Sequence, residues 1–264
     1  MGYFNGKVIW ITGASSGIGE ALALELAARG ANLVLSARRE TLLERVRERC
    51  ERAKDHMVVP LDLSAPETAA AATAEVLARH GRIDILINNG GISQRGTVAD
   101  TELDVDRRIM EVNYLGTVAL TKAALPSMLE RGAGQIVVVS SLMGSIGTPL
   151  RSAYAASKHA LHGFFDCLRA EVHDQGVHVC VISPGYVRTE ITKNALTADG
   201  STYDDMGDAQ SKAMSPEVFA RRCADAIASD VRRKMIGGPE VWAARLAPFF
   251  PGVYDFLIRR VKST

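Results

Sequence analysis

This chain predicts an α/β fold built on a parallel sheet, and three observations carry that reading. Short apolar, β-branched runs at residues 7–12, 32–36, 56–61, 83–87, 136–139 and 178–183 alternate with longer stretches of helix-forming composition. A glycine-rich turn, Gly13 to Gly19, joins the first run to the first helical stretch. The 264 residues are 47% hydrophobic, enough for one large core, so residues 1–264 read as one domain.

Bulk chemistry narrows the partners. With 31 basic and 30 acidic residues the net charge is +1, which gives no field for nucleic acid or an anionic membrane, and any anion recognition is local. The four cysteines stand far apart and the six histidines form no ligand set, so no disulfide or metal site is expected and the thiols read as reduced. His159 and His162 read as satisfied surface groups. The first apolar run begins at Val8 and no run of about 18 apolar residues exists, so secretion and a transmembrane segment are disfavoured and a cytoplasmic protein is expected.

The first strand is residues 7–12, KVIWIT, and the helix after the glycine turn runs through Arg29. Gly13, Gly17 and Gly19 let the backbone bend tightly and let a pyrophosphate approach the N–H groups at the positive end of that helix. Strand, glycine turn and helix is the order a dinucleotide site needs, here with the spacing GxxxGxG. The second strand, 32–36, ends in Ala37, Arg38 and Arg39, where an NAD site offers a carboxylate to the ribose 2′-hydroxyl. A guanidinium there forks onto a 2′-phosphate, so NADP(H) is favoured over NAD(H), with Arg38 ahead of Arg39; the alternative is that both arginines merely open a charged helix over 39–54.

The third strand, 56–61, leads to Asp62 and Leu63, which border an adenine by position, although Asp62 equally suits the cap of a helix opening near Pro66. A helix over 67–80 and a fourth strand over 83–87 precede Asn88-Asn89-Gly90-Gly91, a loop that faces the cofactor cleft if the strand order reverses between strands one and four. A long helix, 105–131, carries Asn113, a residue that competes for backbone hydrogen bonds and so needs a reason to sit mid-helix or else faces solvent. The outer surface of that helix is a candidate subunit contact.

Ser141 follows the fifth run at the carboxyl end of its strand. Tyr154 and Lys158 are four residues apart in an alanine-rich helix, on one face, so an ammonium sits beside a phenol. A neighbouring cation favours the phenolate and would bring a phenol of pKa about 10 toward neutrality, as acid-base work on a carbonyl or carbinol oxygen requires. Ser141 would hold that oxygen. The plain alternative is a surface tyrosine with a solvated lysine one turn on.

The helix runs to about Asp174, a sixth strand spans 178–183, and Pro184-Gly185-Tyr186 breaks the chain. Residues 190–214 are polar with weak helix signals and read as a substrate lid. Ser215-Pro216-Glu217 opens a helix to about Ser229, and 234–237 is a last short strand. The aromatic tail, 240–264, suits a pocket wall, a subunit contact or an interfacial membrane segment, the last disfavoured by Pro248 and Pro251.

Together, Thr12-Gly13-x-x-x-Gly17-Ile18-Gly19, Asn88-Asn89-x-Gly91, Asn113, Ser141, Tyr154-x-x-x-Lys158 and Pro184-Gly185 resemble the short-chain dehydrogenase/reductase family across about residues 5–240. The resemblance implies a single Rossmann-fold domain with a doubly wound, seven-stranded parallel sheet flanked by helices, and an oxidoreductase that is a homodimer or homotetramer. It also implies a catalytic tetrad: Tyr154 as acid-base, Ser141 orienting the substrate oxygen, Lys158 lowering the tyrosine pKa and binding the nicotinamide ribose, and Asn113 holding a water in a proton relay. Cofactor contacts are implied for Gly13, Ser15, Ser16, Gly17, Ile18, Gly19, Arg38, Arg39, Asp62, Leu63, Asn89, Gly90, Pro184, Gly185 and Val187, with Thr189 at the carboxamide.

The blocks RSAYAASKHA, FFDCLRAE, ISPGY and NALTADGS are similar to the family's member-seven branch. That branch often has a membrane-anchoring N-terminus, which this chain is read as lacking, so membrane association is not carried over from the resemblance. Gly90 replaces the family's usual alanine, which adds backbone freedom beside the cofactor. An NADP(H)-dependent reaction on an apolar carbonyl or secondary alcohol is expected, with Leu142, Met143, Ile146, Leu150 and Tyr186 lining the cleft. The alternatives are a non-catalytic NADP(H)-binding sensor or scaffold, against which the complete Ser, Tyr, Lys and Asn set argues, and a lyase or epimerase with a retained cofactor.

Overall fold

Alternate residues along each central strand face opposite sides of one sheet, and both sides are apolar. In β1 (Val8–Thr12), Ile9 and Ile11 join one core while Val8 and Trp10 join the other. A strand buried on both faces belongs inside a parallel sheet covered by helices. The computed structural model describes residues 2–205 and 213–259; positions 206–212 of the lid stretch and 260–264 of the tail lie outside the described residues.

Seven parallel strands run in the order β3-β2-β1-β4-β5-β6-β7. They are β1, β2 (Asn32–Ser36), β3 (Met57–Val58), β4 (Ile85–Asn88), β5 (Gly134–Val139), β6 (Val177–Pro184) and β7 (Arg233–Ile236). The order reverses at β1, so the crevice beyond the carboxyl ends of β1 and β4 is the topological switch point where such sheets bind ligands. On one face lie α1 (Gly17–Ala28), α2 (Glu40–Arg49) and α7 (Pro216–Ala228), closing the core around Leu22, Leu26, Leu43 and Phe219. On the other lie α3 (Ala69–His80), α5 (Gly116–Arg131) and α6 (Ser152–Glu171), around Val76, Leu120, Leu161 and Phe165.

Several elements differ from the sequence reading. The third strand is only two residues long, although Val59 N–H and Leu61 N–H go on donating to Leu35 and Ala37 (3.0 and 3.1 Å). Pro60 between them lies where an edge strand's N–H would point away from the sheet, so its missing donor costs no ladder bond. The charged helix ends at Arg49, not Lys54; Arg52 lies in the left-handed region (φ 57°) and closes the turn. The expected helix over 105–131 is α4 (Leu103–Met110), a π-helical turn (Glu111–Leu115) and α5 in succession. Glu240–Leu246 (α8) and Pro251–Ile258 (α9) make two short helices of the tail, interrupted before Pro251. No described helix is long and apolar enough to cross a membrane.

Candidate active site

Gly13 and Gly17 carry positive φ (65° and 58°), which turns the chain sharply from β1 into α1. Gly19 is in the helix and serves close approach: a Cβ there would overlap the Gly13 carbonyl oxygen and stand 2.6 Å from Asn89 Nδ2. Asn89 Nδ2 itself donates to Thr12 O (3.0 Å), and Asn89 N–H and Gly90 N–H both donate to Thr12 Oγ1 (3.0 Å each). These bonds tie the loop after β4 to the glycine turn. Since the atoms around Gly19 cannot retreat, Gly19→Ala is expected to cost about 2 kcal/mol or more, read by urea unfolding. A loss near zero would mean that the turn relaxes freely.

A cleft of about 470 Å³ opens over this turn. Gly13, Ser15, Ser16, Gly17 and Ile18 line it from one side, with Arg38, Arg39, Asp62 and Leu63 beyond the ends of β2 and β3. Asn89, Gly90, Pro184, Gly185, Val187 and Thr189 line it from the loops after β4 and β6. Gly19 lies behind the turn and does not line it. Asp62 does not cap the next helix; Ser64 N–H and Oγ–H donate to its Oδ1 (2.9 and 2.7 Å). Burial raises its pKa, but the Ser64 bonds and the nearby Arg38 and Arg108 guanidiniums outweigh that and hold it below the usual value.

Gly90 is another correction. Its φ is not positive, so its freedom is unused; what it provides is room, since a Cβ there would stand 2.6 Å from Leu63 Cδ1. That methyl belongs to a side chain able to rotate away, so alanine fits at small cost.

Ser141, Tyr154 and Lys158 line the far part of the same cleft. Ser141 closes the carboxyl end of β5 and caps the short turn Leu142–Gly144, its Oγ accepting from Met143 N–H (3.2 Å). Tyr154 sits in the first turn of α6, almost fully buried, its hydroxyl hydrogen-bonded with Ser141. Lys158 is 4% exposed; its Nζ donates to Val139 O (3.2 Å) and lies 5.7 Å from the Tyr154 ring centroid.

The acidity pattern reverses the expectation. Burial pushes the Tyr154 phenol up, and the groups that pull it back are the Arg151 guanidinium and the Ser141 hydrogen bond. Lys158 gives no resolved lowering, and burial brings the ammonium itself down to about 8. In the free protein at neutral pH the phenol is therefore protonated and the lysine mostly charged.

Asn113 does not face solvent and does not line the cleft. It is fully buried in the π turn, where Oδ1 accepts from Ile92 N–H (2.8 Å) and Nδ2 donates to Ile92 O (2.9 Å) and Ser157 Oγ (3.0 Å). Both amide hydrogens are used, so this side chain pins the loop after β4 to α6.

Of the residues expected to line a substrate pocket, none does. Leu142 packs with Ile146 and Met235 against Val241 and Ala244 of α8, and Tyr186 is 39% exposed. The apolar lining comes instead from Ile92, Val112, Ile191 and Leu196. Arg108, one turn before Val112 on α4, was also missed; its only sequence signal is that i, i+4 spacing. His162 is no satisfied surface group: its Nε2 is buried without a partner among the described residues, and burial brings its pKa to about 4. The described part of the lid stretch, 190–205, is a folded loop, with Leu196 N–H donating to Ser93 O (2.9 Å) and Tyr203 N–H to Ala195 O (2.9 Å). No group of three or more potential metal ligands occurs among the described residues.

A parallel sheet with a glycine turn at its switch point, and a Ser, Tyr and Lys set in the same cleft, defines a dinucleotide-dependent oxidoreductase class. The family model described as short chain dehydrogenase matches residues 7–200, and the chain belongs to the short-chain dehydrogenase/reductase family. It is 48% identical over 230 residues to dehydrogenase/reductase SDR family member 7B of Mus musculus, covering 85% of this chain and 71% of that protein. A short chain dehydrogenase/reductase from Burkholderia phymatum, solved in complex with NAD, superposes with TM-score 0.83 at 25% identity over 96% of each chain. An alcohol dehydrogenase from the archaeon Thermococcus sibiricus, complexed with 5-hydroxy-NADP, gives 0.75 at 28% identity over 88% of this chain and 97% of that one.

Proposed function

We propose that this protein is an NADP(H)-dependent oxidoreductase that interconverts a carbonyl and a secondary alcohol on a predominantly apolar small molecule, with Tyr154 as the acid-base. One observation carries the reading: Tyr154, Ser141 and Lys158 share a single cleft with the glycine turn and with Arg38. The residues fit such a cofactor. The positive-φ glycines and the start of α1 suit a pyrophosphate, and Arg38 and Arg39, where no carboxylate stands, suit a 2′-phosphate. When bound, the nicotinamide supplies or accepts the hydride.

The chain's own contributions follow from the geometry. Ser141 orients the substrate oxygen, and Tyr154, protonated at neutral pH, donates to it during reduction. Lys158, tethered to Val139 O, adds a positive charge beneath the phenol, and Asn113 acts by holding the loop at Ile92 rather than by contact with the substrate. Ile92, Val112, Ile191 and Leu196 exclude water from the apolar part of the substrate. The 190–205 loop walls one side of the cleft through Glu190, Ile191, Asn194, Leu196 and Thr202.

The cofactor preference is tested at Arg38. Arg38→Asp is expected to lower the NADPH-to-NADH ratio of kcat/KM by roughly 100-fold, since a charge-assisted contact becomes a repulsion. An unchanged ratio would remove Arg38 from phosphate recognition and leave Arg39 and Arg108 as the remaining cations there.

A further inference from the structure

We propose that Arg151 receives an anionic group of the substrate, so that the compound carries a carboxylate or phosphate monoester besides its reacting carbonyl. This rests on the oxidoreductase reading above and adds a substrate class to it.

The first support is backbone geometry. Arg151 stands at the start of α6, three residues before Tyr154, so it lies less than one helical turn from the phenol. Leu150, just before it, has φ 65°, a conformation that a leucine rarely adopts. The strain is held in place because Gly96 N–H donates to Leu150 O (3.1 Å). Strain kept by surrounding bonds next to the helix that carries Tyr154 points to a use for the side chain that follows it.

The second is the state of the guanidinium. It is half-buried, and its one hydrogen bond among the described residues donates from Nη1 to Ser93 Oγ (3.2 Å). No carboxylate of the described residues lies within ion-pair distance of it. Burial and the neighbouring Arg95 both work against its charge, while the hydroxyl-bearing rings of Tyr154, Tyr186 and Tyr203 are close enough to favour it. Four of the five donors of a rigid fork are thus without an acceptor among the described residues, and the neighbouring Arg95 stacks on Tyr203 (5.5 Å). An anion at Arg151 would offset the cost of its buried charge and use the fork.

The third is position. Ser93 follows Ile92, which lines the cleft, and Arg95 N–H donates to the carbonyl of Leu196, which lines it too (2.7 Å). The cofactor's own phosphates do not explain this cation, because the glycine turn and Arg38 lie at the carboxyl ends of β1 and β2, whereas Arg151 comes from the α6 side with Tyr154. Arg151 stands outside the residues that line the cleft and adjoins it at Tyr154, whose phenol its charge reaches, so a molecule with its carbonyl at Ser141 and Tyr154 would carry its anion on the Arg151 side.

The test uses purified chain, NADPH and matched ketones: an oxo-carboxylate beside its methyl ester, and a ketone phosphate monoester beside the free alcohol. The wild type is expected to favour the anionic member of one pair by roughly 10- to 100-fold in kcat/KM, the range of a charged hydrogen-bonded contact. Which pair shows it separates carboxylate from phosphate. Arg151→Gln should collapse that ratio to within about threefold, with Arg151→Lys keeping part of it. Preference for the neutral members, or a ratio untouched in Arg151→Gln, overturns the proposal. If that variant does not fold by circular dichroism, the wild-type ratio decides, together with whether inorganic phosphate or acetate competes with the ketone. Calorimetric titration with the same compounds separates the two claims. Preferential binding of the anion without any turnover leaves Arg151 standing and removes the reaction; turnover without preference does the reverse.

Discussion

Tyr154→Phe is expected to lower kcat by about a thousandfold while leaving NADPH affinity within a few-fold of wild type. The residue is 7% exposed and its hydroxyl is bonded with Ser141, so the substitution removes one oxygen and keeps the packing of the ring. A positioned acid contributes roughly 100- to 10,000-fold, and the Tyr154 phenol is the acid of this cleft that is hydrogen-bonded with Ser141. Burial raises its pKa, so it is a proton donor across the neutral range. Carbonyl reduction should therefore be flat in kcat/KM through neutral pH and fall only in alkali. Alcohol oxidation, which needs the phenolate, should climb with pH over the same interval. Steady-state rates in both directions, with fluorescence titration of NADPH, read all three quantities. Turnover within tenfold of wild type, or oxidation that declines as pH rises, would take Tyr154 out of the proton transfer.

Much of this was legible before any coordinates, and the pattern of what was not is physical. Central strands are buried on both faces, so their apolar runs stand out, and β4, β5 and β6 fall within two residues of where composition put them. The glycine turn is legible because backbone conformation dictates residue type there: only glycine accepts φ 58–65° cheaply beside Thr189 and Gly90. Asn113 stands out in the sequence for a local reason, its poor fit to a helix, but its partners at Ile92 and Ser157 are 21 and 44 residues away. The substrate wall failed in the same manner. Leu142 and Ile146 follow Ser141 closely, yet α8, about 100 residues on, covers them, and the cleft is completed by Ile191 and Leu196 from the loop after β6. The phenol's acidity failed most plainly, because spacing on a helix gives proximity to Lys158 but says nothing of burial, and burial dominates both groups.

Lys158 carries the second large effect, and its sign can be checked against stability as well as rate. Its ordinary value of 10.5 applies in the unfolded chain and about 8 in the folded one, because burial disfavours the ammonium. Below pH 8 both states are protonated and the cost of the buried charge is at its full value. From pH 8 to 10.5 the folded protein gives up the proton before the unfolded chain does, so the unfolded state binds more protons and stability contributed by this residue rises with pH. A shift of that size amounts to about 3 kcal/mol. Lys158→Met, which has no charge to bury, should thus be most favourable relative to wild type at pH 7 and lose about 3 kcal/mol of that relative advantage by pH 10.5. Paired urea unfolding at pH 7, 8, 9 and 10 measures the difference, and every other titrating group cancels between the two proteins. A difference that stays flat with pH would mean that the ammonium is not held at about 8. The same variant should lose turnover by at least about a hundredfold, since the positive charge tethered at Val139 O beneath Tyr154 goes with it. On the proposed reaction, a charge that weakens the fold at neutral pH yet is held by a specific carbonyl beside Tyr154 has its use in the cleft rather than in the fold.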